Sequence, residues 1–256
     1  MSLQVQRLSK RFGGLAAVDE VSFDALSGAV TAVIGPNGAG KTTVLNLVSG
    51  VFASDGGSVF LDGVEISLQP AWQRARHGLA RTFQTPQLFE GMTVLETVMI
   101  GAHMQAKAGL LSVLARLPKV RKEEESMRLR AEEALDYIGI SPTQWQRIAL
   151  ELPYGLQRKV EIARAVAMQA TTFLLDEPAA GLNGSETSAL SDLFLKLRAD
   201  GKCVILIEHN MEMVMRISDH VVVMNFGRKI AEGRPYEVQA NAAVVEAYLG
   251  VEEEEC

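Results

Sequence analysis

Residues 173–225 read FLLDEPAAGLNGSETSALSDLFLKLRADGKCVILIEHNMEMVMRISDHVVVMN, and their pattern establishes the fold class. Three short apolar runs, Phe173–Leu175, Val204–Ile207 and Val221–Asn225, have the length and composition of buried strands. The segments that separate them place apolar residues at helical spacing. Strands that alternate with helices and are apolar along their whole length are typical of a parallel sheet covered on both faces. The sequence therefore predicts an α/β domain.

A phosphate-binding loop lies upstream of this region. Residues 35–42, GPNGAGKT, match G-x-x-x-x-G-K-[ST] and stand between the apolar run Ala29–Ile34 and a helical pattern that ends at Gly50. In such a loop the backbone N–H groups and the helix N-terminus face phosphate oxygens, the lysine reaches the β- and γ-phosphates, and the hydroxyl ligates Mg²⁺. The residues predicted to hold the phosphates are Asn37, Gly38, Ala39, Gly40, Lys41, Thr42 and Thr43.

Two carboxylates at the end of a buried strand complete the chemistry of phosphoryl transfer. The run 173–175 is followed by Asp176, which we expect in the Mg²⁺ shell, and by Glu177, which can polarise a water molecule. His209 follows another apolar strand in the same way. Open α/β sheets bind their ligands at the carboxyl ends of their strands, so these side chains are expected to meet.

The distribution of strand and helix patterns along the chain predicts one α/β core with an insertion. Strand patterns dominate the first third and strand–helix alternation the last, whereas residues 93–170 read as helix without a convincing strand. We place the core at residues 1–88 and 165–256, and the inserted helical subdomain at 89–164.

Composition excludes several classes of protein. The chain has 256 residues, 48% of them hydrophobic, and a net charge of −6. It contains no run of about 18 apolar residues that could span a membrane, and its first residues lack the order of a secretion signal, so a cytoplasmic chain is expected. The two cysteines have no metal-ligand spacing. The acidic balance argues against nucleic acid as a partner.

With these residues, the chain resembles the ATP-binding cassette ATPases of ABC transporters over nearly its whole length. The further motifs that carry the resemblance are Gln84, the LSGGQ-like residues 152–157 (LPYGLQ), the loop 180–183 (AGLN), and His209. The resemblance implies a P-loop NTPase (RecA-like) core with an N-terminal antiparallel β subdomain and the inserted α-helical subdomain. It also implies that Phe12 stacks on adenine and that Val18 lies beside the ribose.

The same resemblance implies a sandwich dimer that binds two ATP molecules with Mg²⁺ between two ATP-binding subunits. Glu177 would act as general base, with His209 and Gln84 sensing the γ-phosphate. Thr42, Gln84 and Asp176 would ligate the metal. The residues that would contact the ATP held by the opposite subunit are Pro153, Tyr154, Gly155, Gln157 and Asn183.

The LSGGQ-like segment departs from the family pattern. Pro153 stands where the family has a serine, Tyr154 at the first glycine and Leu156 at the glutamine. Proline offers phosphate neither a hydroxyl nor a backbone N–H. We therefore expect binding to persist and this composite site to be the weaker of two, which a different partner ATPase would accommodate.

Five further segments of the sequence are similar to those of the LivG-type subunits of branched-chain amino acid importers. They are residues 81–84 (RTFQ), the long segment Ala102–Lys122, residues 176–183 (DEPAAGLN), residues 207–211 (IEHNM) and the ending AYLG. The resemblance implies a LivF-like second ATPase, or a homodimer, together with two permease subunits and, indirectly, a periplasmic binding protein. The chain would lie peripherally on the cytoplasmic face of the inner membrane.

Other functions compete with this interpretation. Within the same branch the rival is an importer of urea or short-chain amides, followed by an LptB-like exporter ATPase. A P-loop kinase is disfavoured by the LSGGQ-like segment. An ABC protein of DNA repair or ribosomes is disfavoured because the chain has one cassette and no heptad run.

Overall fold

The computed structural model describes residues 2–103 and 118–249, which form two compact units. The first unit comprises the described residues up to Gln84 and from Thr171; the second is Thr85–Ala170. The predicted boundary at 164/165 falls inside the helix Tyr154–Ala167, whose continuous hydrogen bonding keeps those residues together. Residues 104–117 of the predicted long segment, and the acidic residues 252–255, lie outside the described residues.

The first unit contains two sheets. In chain order the strands are β1 (Ser2–Phe12), β2 (Leu15–Leu26), β3 (Ala29–Ile34), β4 (Gly56–Leu61), β5 (Val64–Glu65), β6 (Leu79–Arg81), β7 (Thr172–Asp176), β8 (Cys203–Ile207), β9 (His220–Asn225) and β10 (Arg228–Gly233). The four-stranded sheet has the order β2-β1-β4-β5 and is antiparallel. The six-stranded sheet has the order β10-β9-β3-β8-β7-β6 and is parallel except for β10.

The parallel strands are apolar because they are covered by helices and by strand β2 of the antiparallel sheet. Every residue of β7 and of β8 is buried, and β3 is buried from its second residue onward. Their register pairs Val33 and Asp176 with Ile207, so β3, β7 and β8 end at the same edge of the sheet. The predicted phosphate loop, acidic pair and His209 all follow these ends.

Helices flank the sheets within the first unit. They are α1 (Lys41–Ser49), α2 (Ala71–Arg76), α6 (Gly184–Ala199), α7 (Met211–Ile217), α8 (Pro235–Gln239) and α9 (Ala242–Leu249). The Asn183 side chain caps α6 by accepting a hydrogen bond from the Glu186 backbone, and Glu186 reciprocates. Helices α8 and α9 are separate, because the Asn241 carboxamide accepts from the Ala243 backbone and starts α9.

The second unit is helical, as its sequence indicated, and is built on α3 (Val94–His103), α4 (Pro118–Ile138) and α5 (Tyr154–Ala167). Helices α3 and α5 approach closely at Gly101, where an added Cβ would lie 2.0 Å from the Arg164 carbonyl oxygen. Arg158 and Glu161 form a fully buried ion pair on α5 at 3.4 Å. The two opposite charges compensate each other at a buried position, where an unpaired charge would be destabilising.

Among the helices of residues 2–103 and 118–249, none has the length and apolar character needed to cross a bilayer.

Candidate active site

The phosphate loop requires glycine at two positions where other chain segments come close. Gly35 and Gly40 have φ of 147° and 94°, a region that favours glycine. A Cβ on Gly35 would lie 2.0 Å from the Met224 carbonyl oxygen, and one on Gly40 would lie 2.3 Å from that of Ala17. The loop is therefore held tightly between β9 and β2, with α1 beginning directly after Gly40.

Lys41 holds the loop in a curled shape. Its buried ammonium group donates hydrogen bonds to the carbonyl oxygens of Gly35 and Pro36, both at 2.8 Å. Burial lowers the pKa of Lys41, and the negative charges of Glu177 and Asp176 act in the opposite direction. Phosphate oxygens in the loop would add a stronger counter-charge, so the geometry fits an anion at this point.

Asp176 ends β7 as a nearly buried carboxylate. Its Oδ2 accepts from Arg81 Nη2 at 3.2 Å, and its Oδ1 lies 3.5 Å from the Thr42 hydroxyl. Burial raises the pKa of Asp176, while the guanidinium of Arg81 lowers it. Sequence reasoning quoted Arg81 but gave it no role. The available signal was a basic residue at the end of a buried strand, where an unpaired cation is costly.

Glu177 brings the three predicted catalytic residues together. Gln84 Nε2 donates to Glu177 Oε2 at 2.9 Å, and His209 Nε2 lies 3.1 Å from Glu177 Oε1. Glu177 itself has φ of 46°, an uncommon conformation for a residue with a Cβ, and its N–H donates to the Ile207 carbonyl. Strain of this kind persists where the surroundings hold the backbone, and it turns the carboxylate out of the strand toward the loop.

Glu208 is a second residue that sequence reasoning left without a role. It is buried, and its carboxylate accepts from the backbone of Ala179 at 2.7 Å, His209 at 3.2 Å and Asn210 at 3.4 Å. Burial raises the pKa of Glu208, and the three backbone donors oppose that effect. Glu208 thus ties the loop after Glu177 to the segment that carries His209. A charged residue directly after an apolar strand was the signal in the sequence.

A cavity of about 440 Å³ lies over the phosphate loop. It is lined by Phe12, Leu15, Ala16, Ala17, Asn37, Gly38, Ala39, Gly40, Lys41, Thr42, Thr43, Glu177, His209, Phe226 and Gly227. Phe12, which the resemblance implies stacks on adenine, is half exposed and lines this cavity. Val18 does not line the cavity: its side chain is fully buried among apolar core residues, so the expectation that it lies beside a ribose is corrected. Adjacent strand residues point to opposite faces, and Ala17 takes the wall position.

The donor set at this site suits Mg²⁺. The Thr42 hydroxyl lies 3.5 Å from the Asp176 carboxylate. The Gln84 carboxamide donates a hydrogen bond to Glu177, the residue after Asp176. The described part of the chain has no group of three or more His, Cys, Asp or Glu that could hold a metal ion. Magnesium is commonly held by one or two protein oxygens together with waters and substrate phosphates, and these residues fit that arrangement.

The residues predicted to contact an opposite subunit's ATP have local partners in this chain. Pro153 is the N-cap residue of α5, which begins at Tyr154. The Tyr154 hydroxyl accepts from Arg158 at 2.9 Å, and Gln157 Nε2 donates to the carbonyls of Leu150 and Leu152. Gly155 lies in the first turn of α5. Asn183 caps α6.

Two family profiles and several known proteins match this sequence. The sequence profile of the ABC transporter family matches residues 18–180, and that of the branched-chain amino acid ATP-binding cassette transporter matches residues 228–254. The chain is 42% identical to the high-affinity branched-chain amino acid transport ATP-binding protein BraF of Pseudomonas aeruginosa, over 97% of each chain. It is 43% identical to the corresponding protein LivG of Salmonella typhimurium, again over 97% of each.

Solved structures show the same fold. A nucleotide-free ATP-binding cassette from an ABC transporter superimposes with a TM-score of 0.84 at 34% identity, covering 97% of this chain and 99% of that one. A cassette in its ADP conformation gives a TM-score of 0.84 at 35% identity, covering 98% and 99%. The predicted fold class, a P-loop NTPase core with an antiparallel β subdomain and a helical subdomain, is confirmed. By these matches, the chain belongs to the ABC transporter ATP-binding family and is an ATP hydrolase.

Proposed function

We propose that this chain hydrolyses ATP to power uptake of branched-chain or related amino acids through separate permease subunits. The observation that carries the proposal is Glu177, held between Gln84 and His209 beside the phosphate loop. The family profile over residues 228–254 and the relatives, which are branched-chain amino acid transport ATP-binding proteins, support the class of cargo.

Each side chain of the site has a definite task in this proposal. The loop N–H groups and Lys41 bind the phosphates, and Glu177 accepts a proton from the attacking water. Gln84 and His209 orient the Glu177 carboxylate, since both contact its oxygens. The two side chains also respond to the γ-phosphate. Mg²⁺ bound by Thr42, Asp176 and Gln84 would neutralise charge on the phosphate oxygens.

The assembly proposed around the chain rests on the branched-chain amino acid transporter profile and on the transport function of the relatives. A second ATP-binding subunit, LivF-like or identical, completes each nucleotide site through its own LSGGQ-like segment. Two permease subunits carry the substrate, a periplasmic binding protein delivers it, and this chain docks peripherally on their cytoplasmic face. Urea or amide import and LptB-like export are the remaining alternatives.

ATPase stimulation tests this function. The rate should rise when the chain is reconstituted in membranes with the permeases encoded beside it and a binding protein loaded with leucine. The same protein loaded with urea or a short-chain amide is the matched control. Stimulation by urea would favour the rival importer, whereas stimulation by DNA or ribosomes without membranes would contradict a transport role.

Replacing Pro153 with serine tests the weak half-site. Serine restores a hydroxyl and an N–H at the start of α5, where Pro153 makes no side-chain cap. We expect the free energy of unfolding to rise by about 0.5–2 kcal/mol from the new N-cap. We also expect faster ATP turnover in the assembled transporter, measured as phosphate release per complex. Unchanged turnover would show that this segment does not limit hydrolysis.

A further inference from the structure

The turn between β9 and β10 places an aromatic side chain where the backbone disfavours it. Asn225 pairs with Arg228, so Phe226 and Gly227 form a two-residue hairpin loop. Their φ angles are 44° and 78°, both left-handed, as in the turns that prefer Asn-Gly. A bulky residue with positive φ is an outlier, and the Phe226 side chain is also 86% exposed. Neither local conformation nor burial accounts for phenylalanine here.

Three hydrogen bonds and one close backbone approach hold this turn against the cavity. The Gly227 N–H donates to the Ala39 carbonyl of the phosphate loop at 3.1 Å, and the Asp19 N–H donates to the Gly227 carbonyl at 2.8 Å. Arg228 Nε donates to the Asp19 carboxylate at 2.7 Å. A Cβ on Gly227 would lie 2.9 Å from the Ala16 carbonyl oxygen. The position of the Phe226 backbone is therefore tied to the phosphate loop and to β2.

Phe226 lines the same cavity as Phe12 and the phosphate loop. The Phe12 ring packs edge-on against Phe52, with ring centroids 5.6 Å apart and planes at 75°. That contact gives Phe12 a supported position at the wall. Leu15, 68% exposed, extends the apolar lining beside it. A purine ring has two π faces, and an aromatic residue on each is a common way to hold a base.

We propose that Phe226 forms the second wall of the base site, so that the adenine of a bound nucleotide lies between Phe226 and Phe12. This inference rests on the proposed ATP binding at the cavity and adds a residue that determines affinity for the base. It explains an exposed aromatic ring in a left-handed turn, because the ring becomes buried when nucleotide binds. The conformational cost at Phe226 is then offset by stacking on the base.

The test is Phe226→Asn, which removes the ring and gives the turn a residue that tolerates positive φ. The midpoint of thermal unfolding should stay the same or rise. Affinity of the monomeric chain for ADP, measured by calorimetry, should fall about 5- to 150-fold, the range expected for the loss of one stacking partner. Affinity for inorganic tripolyphosphate, which has no base, should not change. Leu68→Asn, at a 98% exposed position outside the cavity, is the matched control.

Each contrary result has a distinct meaning. If the unsubstituted chain binds ADP tightly and Phe226→Asn binds it equally well, this inference alone is overturned. That conclusion holds even if ATP-dependent dimer formation falls in the variant. Equal losses for ADP and tripolyphosphate also overturn it, because they would mean that the phosphate loop has shifted. Failure of the unsubstituted chain to bind ADP overturns the proposed function as well. Phe226→Tyr keeps an aromatic ring and should bind ADP about as tightly as the unsubstituted chain.

Discussion

Glutamine in place of Glu177 is expected to lower ATP turnover by about 10²- to 10⁴-fold, the usual contribution of a general base. The substitution preserves the size of the side chain and one oxygen that can accept from Gln84 or His209. The phosphate loop and Asp176 are untouched, so ATP should still bind. Without a carboxylate to take the proton from water, the ATP-bound dimer should accumulate.

The measurement pairs steady-state phosphate release with the oligomeric state in ATP, followed by light scattering. Glu212→Gln is the matched control, since Glu212 is an exposed residue on α7. Normal turnover in Glu177→Gln would refute the assignment of the base. A parallel loss of ATP binding would instead show that Glu177 serves to shape the loop.

Alanine in place of Lys41 is expected to weaken ATP binding by about 10- to 150-fold, which corresponds to the loss of a charged hydrogen bond. Lys41 is buried, and its ammonium group already lies at the centre of the loop, 2.8 Å from two carbonyl oxygens. Phosphate oxygens in the loop would attract this charge, and among the described residues that line the cavity no other is a lysine or arginine.

Calorimetric titration with ATP and Mg²⁺ measures this effect. Lys202→Ala removes the same side chain just before the amino end of β8, at the opposite edge of the sheet from the site. Nucleotide affinity that is unchanged in Lys41→Ala would contradict the role of Lys41. A similar loss in Lys202→Ala would indicate that overall charge, rather than the contact in the loop, controls binding.

The parts of the site that sequence reasoning identified are local in the chain. The phosphate loop occupies eight consecutive residues, and its glycines, lysine and threonine each have a chemical reason to be there. The acidic pair follows its strand directly, and His209 follows another. Because parallel strands end at one edge of a sheet, alternation alone predicted that the acidic pair and His209 meet, and His209 Nε2 lies 3.1 Å from Glu177 Oε1. Gln84 was expected there only from the resemblance to the family.

The parts that were missed depend on contacts between distant segments. Arg81 and Asp176 are 95 residues apart, and only the pairing of β6 with β7 places them together. Val18 belongs to the core rather than the cavity, because the pleat of β2 turns it inward. Phe226 reaches the nucleotide cavity only because its turn is bonded to Ala39 of the phosphate loop.

The sequence by itself therefore determined the α/β fold and the phosphate-loop motif, and its residue types and their order predicted a carboxylate for a metal ion and a carboxylate for a base. Only the tertiary structure decided that Phe12 and Phe226 line one cavity, that Arg81 pairs with Asp176, and that Gln84 and His209 contact Glu177. The physical reason is range. Backbone propensity and apolar periodicity act over a few residues, whereas hydrogen bonds and burial join any groups that the sheet order brings within reach.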